Sequence, residues 1–261
     1  MRRFKSLAAL ALAAALAACA AQSDRNVAAF GTPAAQSSAR TIADHRLRLT
    51  PPPDYCALDR GQLMDAMMLH LLDKAVEGAV QVLDVWRDCS ALAASRRGVQ
   101  DFSEPTVAIT AVLLDGRPTQ SPLPRATLLD QLAVAFALMK EDKALQDELE
   151  ADLRRRFDGT VGRLAASLGK SAELGATTDL GVRAQDENAV YVATISRATA
   201  DDEEIVLSNI VAVTEMNGLI LEIAFFADHA GDAHMDRLLA EAKSIMQRLV
   251  AANNHPTWND I

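Results

Sequence analysis

Apolar positions recur every three or four residues in three long stretches of the chain and every second residue through much of its last third. In the first stretch Leu63, Met64, Met67, Met68, Leu71, Leu72, Ala75, Val76, Ala79 and Val80 fall on one helical stripe, with Asp65, Asp73, Lys74 and Glu77 opposite. A second helical pattern starts at Arg125 with Leu128, Leu129, Leu132, Phe136 and Met139, and runs through Leu145, Leu149, Leu153 and Phe157 until Gly159 and Gly162 break it. The third joins Met235, Leu238, Leu239, Ala242, Ile245, Met246, Leu249 and Val250, with Asp232 as its expected N-cap. Between them "PTVAITAVLL" (105–114), "NAVYVATIS" (188–196), "EIVLSNIVAVT" (204–214) and "LILEIAFF" (219–226) predict strands. Asn217-Gly218 between the last two predicts a tight hairpin, because both central residues of such a turn need positive φ. "AVQVLDVWRDC" (79–89) suits a helix end or a strand, residues 90–96 a short helix, and "DGRPTQSPLP" (115–124) a loop. Leu47 and Leu49 alternate briefly before Pro51, Pro52 and Pro53, as in an edge strand running into an extended turn. The expected fold class is α/β of the α+β kind, an antiparallel sheet packed against amphipathic helices in one domain over residues 42–253, with a C-terminal tail at 254–261.

The N-terminus has a different organisation. Arg2, Arg3 and Lys5 precede an apolar run from Leu7 to Leu16, too short to span a bilayer, and small residues follow, which is the pattern of an export signal. Leu16-Ala17-Ala18-Cys19 resembles the lipobox of bacterial lipoproteins. The resemblance implies a signal peptide over residues 1–18, an acyl-bearing diacylglycerol (palmitate or a similar chain) on Cys19, and a membrane anchor there. Ala20, where inner-membrane retention favours Asp, points to the periplasmic face of the outer membrane. Residues 19–41 have no apolar period and are expected to act as a flexible tether.

Composition narrows the partners. Loss of residues 1–18 leaves 243 residues, enough for a sizeable core, and moves the formal net charge from −9 to −12. That balance disfavours nucleic acid, whose phosphates need a basic face. Cys56 and Cys89 are too far apart for a redox motif and in an oxidising compartment are expected to form one structural disulfide. The element order and the "TPPPDYC" segment at 50–56 resemble the PsbP/Mog1-like α/β/α sandwich, with a long helical insertion at about 125–168. Members of that fold family mostly bind partners, so the resemblance implies a binding role and supplies no functional residue.

Candidate chemistry is sparse. Gly169-Lys170-Ser171 has Leu164 where a phosphate-binding loop needs glycine. In "DHAGDAHMD" (228–236), His229, Asp232 and His234 are the candidate ligands for a divalent metal, zinc first; the alternative is a solvated acidic loop. Met64, Met67 and Met68 beside His70 raise Cu(I), although methionines in a leucine stripe more simply fill a core. The chain has no G-x-S-x-G elbow, and no catalytic residue is assigned. The expectation is a lipid-anchored, non-catalytic binding or assembly module of the cell envelope with an envelope protein as partner and no cofactor. A small-ligand or metal-binding lipoprotein, with a pocket between the sheet and the long helix, is the alternative; a hydrolase is the third.

Overall fold

Both phases of the central strands are apolar, so the sheet they form must be covered on both faces. The computed structural model describes residues 38–42, 44–97, 104–157, 172–200 and 203–254. Its elements are β1 (Ser38–Ile42), β2 (His45–Leu49), β3 (Tyr55–Ala57), α1 (Leu63–Ala75), β4 (Val80–Asp88), α2 (Cys89–Arg96), β5 (Thr106–Leu114), β6 (Arg117–Pro118), α3 (Arg125–Glu141), α4 (Lys143–Phe157), β7 (Ala172–Gln185), β8 (Val190–Ala200), β9 (Glu203–Met216), β10 (Leu219–Asp228) and α5 (Asp232–Asn253). The fold is α+β. An antiparallel sheet runs in the order β3-β4-β5-β10-β9-β8-β7, β6 adds to β5, and β1 and β2 form a separate hairpin.

Strand alternation divides the core in two. Ala224 and Phe226 of β10, Val211 and Val213 of β9 and Val190 and Val192 of β8 face Leu72 of α1, Leu92 of α2 and Leu129 and Phe136 of α3. Leu221, Ile223 and Phe225 face the opposite way, onto the α5 stripe and onto Leu47 and Leu49 of β2. The result is three layers, with helices α1 to α3 on one side and α5 with the β1–β2 hairpin on the other. The β9–β10 turn is the expected one, with φ of 50° at Asn217 and 83° at Gly218. A Cβ on Gly218 would lie 3.0 Å from Cε1 of His45, so that glycine also lets the two hairpins meet. Nδ2 of Asn217 donates to the Arg46 carbonyl across the same contact.

Several expectations change. The first helix ends at Ala75 and "VQVLDVWRD" is strand β4. Asp65, expected on the solvent side, is buried, while Leu63 at the helix start is exposed. Two N–H groups of the Arg96 guanidinium donate to its carboxylate, and the Asp59 N–H adds a third donor, so the charge is enclosed with its partner. The tether gives way to strand at Ser38, and Leu47 and Leu49 belong to the β1–β2 hairpin instead of an edge of the main sheet. The long helix is two, broken at Asp142, and α3 contributes Leu129 and Phe136 to the core. β7 is an edge strand with three register irregularities, interruptions of the kind that keep exposed edges from pairing further. Residues 1–37, with the lipobox and Cys19, residues 158–171, with the Gly169-Lys170-Ser171 motif, and residues 255–261 lie outside the described residues. Among the described residues no helix is long and apolar enough to cross a membrane.

Cys56 and Cys89 are joined by a disulfide, as expected, with Cα atoms 4.9 Å apart. It ties β3 to the first turn of α2. Beside it Asp88 caps α2, accepting from the Ser90 and Ala91 N–H groups. Burial pushes the Asp88 carboxyl up, but the Ser90 hydroxyl, those N–H groups and the Arg87 guanidinium outweigh it and hold the carboxyl below its usual range. Being depressed, it contributes stability above its unfolded-state pKa, and the contribution is lost as pH falls through the folded value.

Candidate functional site

On the first face α1 packs on β4 and α3 on β7 to β9. A cavity of about 970 Å³ opens there, between β5, β9, β10, the loop 117–123 and α3. Val112, Val213 and Ile220 form its floor, and Leu128, Leu132 and Phe136 of α3 form one wall.

The opposite wall is "RPTQSPL", a loop fastened by its own backbone. The Thr119 N–H donates to the Val112 carbonyl at 2.7 Å, the Ile220 N–H to the Thr119 carbonyl at 3.0 Å, and the Ser121 N–H to the Gly218 carbonyl at 2.8 Å. Pro118 and Pro122 restrict φ on either side of these bonds. The helical wall is fixed at its start by Arg125, whose Nε donates to the Glu215 carbonyl at 2.7 Å and whose Nη2 donates to Oδ1 of Asn254. The cavity is therefore preformed by regular backbone bonding, as small-molecule sites usually are.

Two polar groups enter this apolar lining. Glu222 of β10 is only 3 % exposed. It pairs with Val213 on one side and Thr110 on the other, and Val190 and Val82 continue the row across β8 and β4. Oγ1 of Thr110 donates to the Glu222 carbonyl at 3.1 Å, securing the backbone at that point. Thr119 is the second, with a buried Oγ1 that has no hydrogen-bond partner. Arg117, Gln120 and Gln131 also line the cavity, and their side chains are exposed. Outside it, Val134 and Leu138 of α3 are 62 % and 64 % exposed, about one helical turn apart.

The chain matches no protein-family model, and a search among curated proteins finds no relative.

The candidate metal ligands are drawn into other contacts. Nδ1 of His229 lies 2.8 Å from Oγ of Ser208, and Nδ1 of His234 lies 3.3 Å from Nη2 of Arg237. Asp232 is the first residue of α5 instead of its cap; Gly231, with φ of 89°, holds the cap position and supplies no side chain. The Asp232 carboxylate thus sits in the first turn, where the helix dipole favours it. Among the described residues no group of three or more His, Cys, Asp and Glu is placed to hold a metal ion. Met68 is packed in the core of the helical face, and His70 is exposed.

The Ser208–His229 contact has the residue types of a hydrolytic dyad, but Ser208 is wholly buried in β9. Its hydroxyl is placed to orient the imidazole. On the α5 face, Tyr55 donates to Glu241 and Tyr191 to Asp186. Burial first, and the adjacent carboxylates second, push both phenols far above their usual range, so they act as hydrogen-bond donors.

Proposed function

We propose that the protein is an exported, lipid-anchored binding module of the cell envelope that takes a small apolar ligand between its sheet and α3 and performs no chemistry on it. The observation that carries this reading is the cavity of about 970 Å³ with preformed walls. Ligand sites commonly enclose some 300–1,000 Å³, mostly apolar with a few placed polar groups. The Cys56–Cys89 bridge suits an oxidising compartment, and the sequence from Leu16 to Cys19 suits attachment to the periplasmic face of the outer membrane. A net negative charge argues against nucleic acid as the partner.

Two outcomes are expected. The neutral fluorophore N-phenyl-1-naphthylamine should bind saturably at one equivalent, and Ala135→Trp, which extends an indole from α3 into the cavity, should weaken it at least tenfold while leaving the urea midpoint nearly unchanged. Undiminished binding by that variant would remove the cavity as the site. Radiolabelled palmitate should enter the wild-type protein in cells and not Cys19→Ser; equal labelling of both would rule out the anchor. A second reading, an envelope protein seated on Val134 and Leu138, is favoured by the exposure of those two side chains. Crosslinking in the native envelope separates it from the first.

A further inference from the structure

Two ionisable residues line the cavity, Arg117 and Glu222. Glu222 is enclosed on the floor and has an interaction of its own within the protein. Arg117 is exposed, and among the described residues its guanidinium has neither a hydrogen bond nor a carboxylate within ion-pair distance. Arg60, Arg96, Arg125, Arg183 and Arg197 each face a carboxylate instead. The guanidinium at the cavity is thus left to water or to a ligand. Its backbone is fixed: β6 pairs Arg117 with Leu114 of β5 and Pro118 with Leu113, across a two-residue turn in which Asp115 and Gly116 both have positive φ.

Resting on the cavity as a binding site, we infer that its ligand is an anionic amphiphile, with a hydrocarbon body inside and a carboxylate or phosphate head held at the solvent side by Arg117. The residues around the cavity support each part of that description. Leu128, Leu132 and Phe136 on one side and Val112 and Ile220 beneath accept hydrocarbon. A guanidinium stays protonated at any working pH and presents five N–H donors in a planar fork, which matches two oxygens of a carboxylate or phosphate. Gln131, exposed on the α3 side of the same lining, carries an amide that also donates.

The other head groups fit less well. An ammonium would be brought to a solvent side that already carries a cation. A hydroxyl on the same hydrocarbon buries the same apolar area, but a neutral acceptor gives a weaker hydrogen bond than a charged one. Because Arg117 is exposed, water and salt screen its attraction. The preference for an anion is therefore a matter of a few fold, and it falls as salt rises.

The test displaces bound N-phenyl-1-naphthylamine from the full chain with dodecanoate, dodecyl phosphate, dodecanol or dodecylamine, each below its aggregation concentration. At low ionic strength the wild type should bind the better of the two anions about fivefold more tightly than dodecanol, with dodecylamine weakest. The stronger anion names the head. That margin should largely vanish in about 1 M salt, where the screening length is about 3 Å. Arg117→Glu, which reverses the charge, should put both anions behind dodecanol. Anions no better than dodecanol on the wild type, dodecylamine strongest, or an anion preference retained by Arg117→Glu would overturn the ligand class and leave the cavity reading intact. Failure of the fluorophore itself to bind the wild type would remove both. If Arg117→Glu does not fold, the wild-type order and its salt dependence decide.

Discussion

Asp65→Asn is expected to lower the folding free energy by about 3–5 kcal/mol, because it leaves the Arg96 guanidinium buried without its counter-charge. The substitution keeps the size of the side chain and one carbonyl acceptor, so packing changes little. What is lost is the negative charge that receives two N–H groups of Arg96 and the Asp59 N–H in the corner between α1 and α2. Domains of this size are stable by only about 5–15 kcal/mol, so the loss is a large fraction of the total. Urea unfolding should show a lower midpoint at an unchanged slope. The double variant Asp65→Leu/Arg96→Met, which removes both charges and keeps the volume, should recover most of the loss. A shift below about 1 kcal/mol for Asp65→Asn would mean that water reaches Arg96 and that the pair does not anchor this corner.

Removal of the disulfide should have the next largest effect. Cys56 and Cys89 are 33 positions apart, and the loop they close contains all of α1 and β4. In the chain-entropy treatment a loop of that length is worth roughly 3–4 kcal/mol, through restriction of the unfolded chain. The double variant Cys56→Ser/Cys89→Ser, or reduction of the wild type, should lower the urea midpoint accordingly. The bridge and the Asp65–Arg96 pair both fasten α2, so the combined variant should lose less than the sum of the two. An unchanged midpoint after verified reduction would show that the packing of α1, β3 and α2 holds that corner without the bridge.

Legibility in the sequence followed how local each determinant is. The Asn217-Gly218 turn and the α5 stripe were readable because a few neighbouring residues decide them. The disulfide was readable because, with Cys19 assigned to the anchor, only two cysteines were left to pair. Asp65 was misplaced because helical periodicity assigns a carboxylate to solvent unless its partner is known, and Arg96 lies 31 residues further on. β7 was missed because Gly175, Gly181 and its register breaks interrupt the alternation that marks a strand. In the sequence the cavity is legible only as a pocket between sheet and long helix, because residues 115–124, which supply its wall, carry only the Gly and Pro signals of a loop. One signal was present in "LILEIAFF", where Glu222 falls in phase with Ile220, Ala224 and Phe226 in a strand apolar on both faces. A charged residue in such a phase is buried if the strand is central, and strand order, a non-local property, decides that.

Occupation of the space between the sheet and α3 by an apolar ligand is visible in methyl NMR of the labelled protein during titration with N-phenyl-1-naphthylamine. Ring-current shifts are predicted on the methyl groups of Val112, Leu132, Val213 and Ile220, with those of Leu238, Ile245 and Val250 on the α5 face unmoved. Shifts confined to the exposed Val134 and Leu138, or no shifts at a saturating concentration, would contradict it.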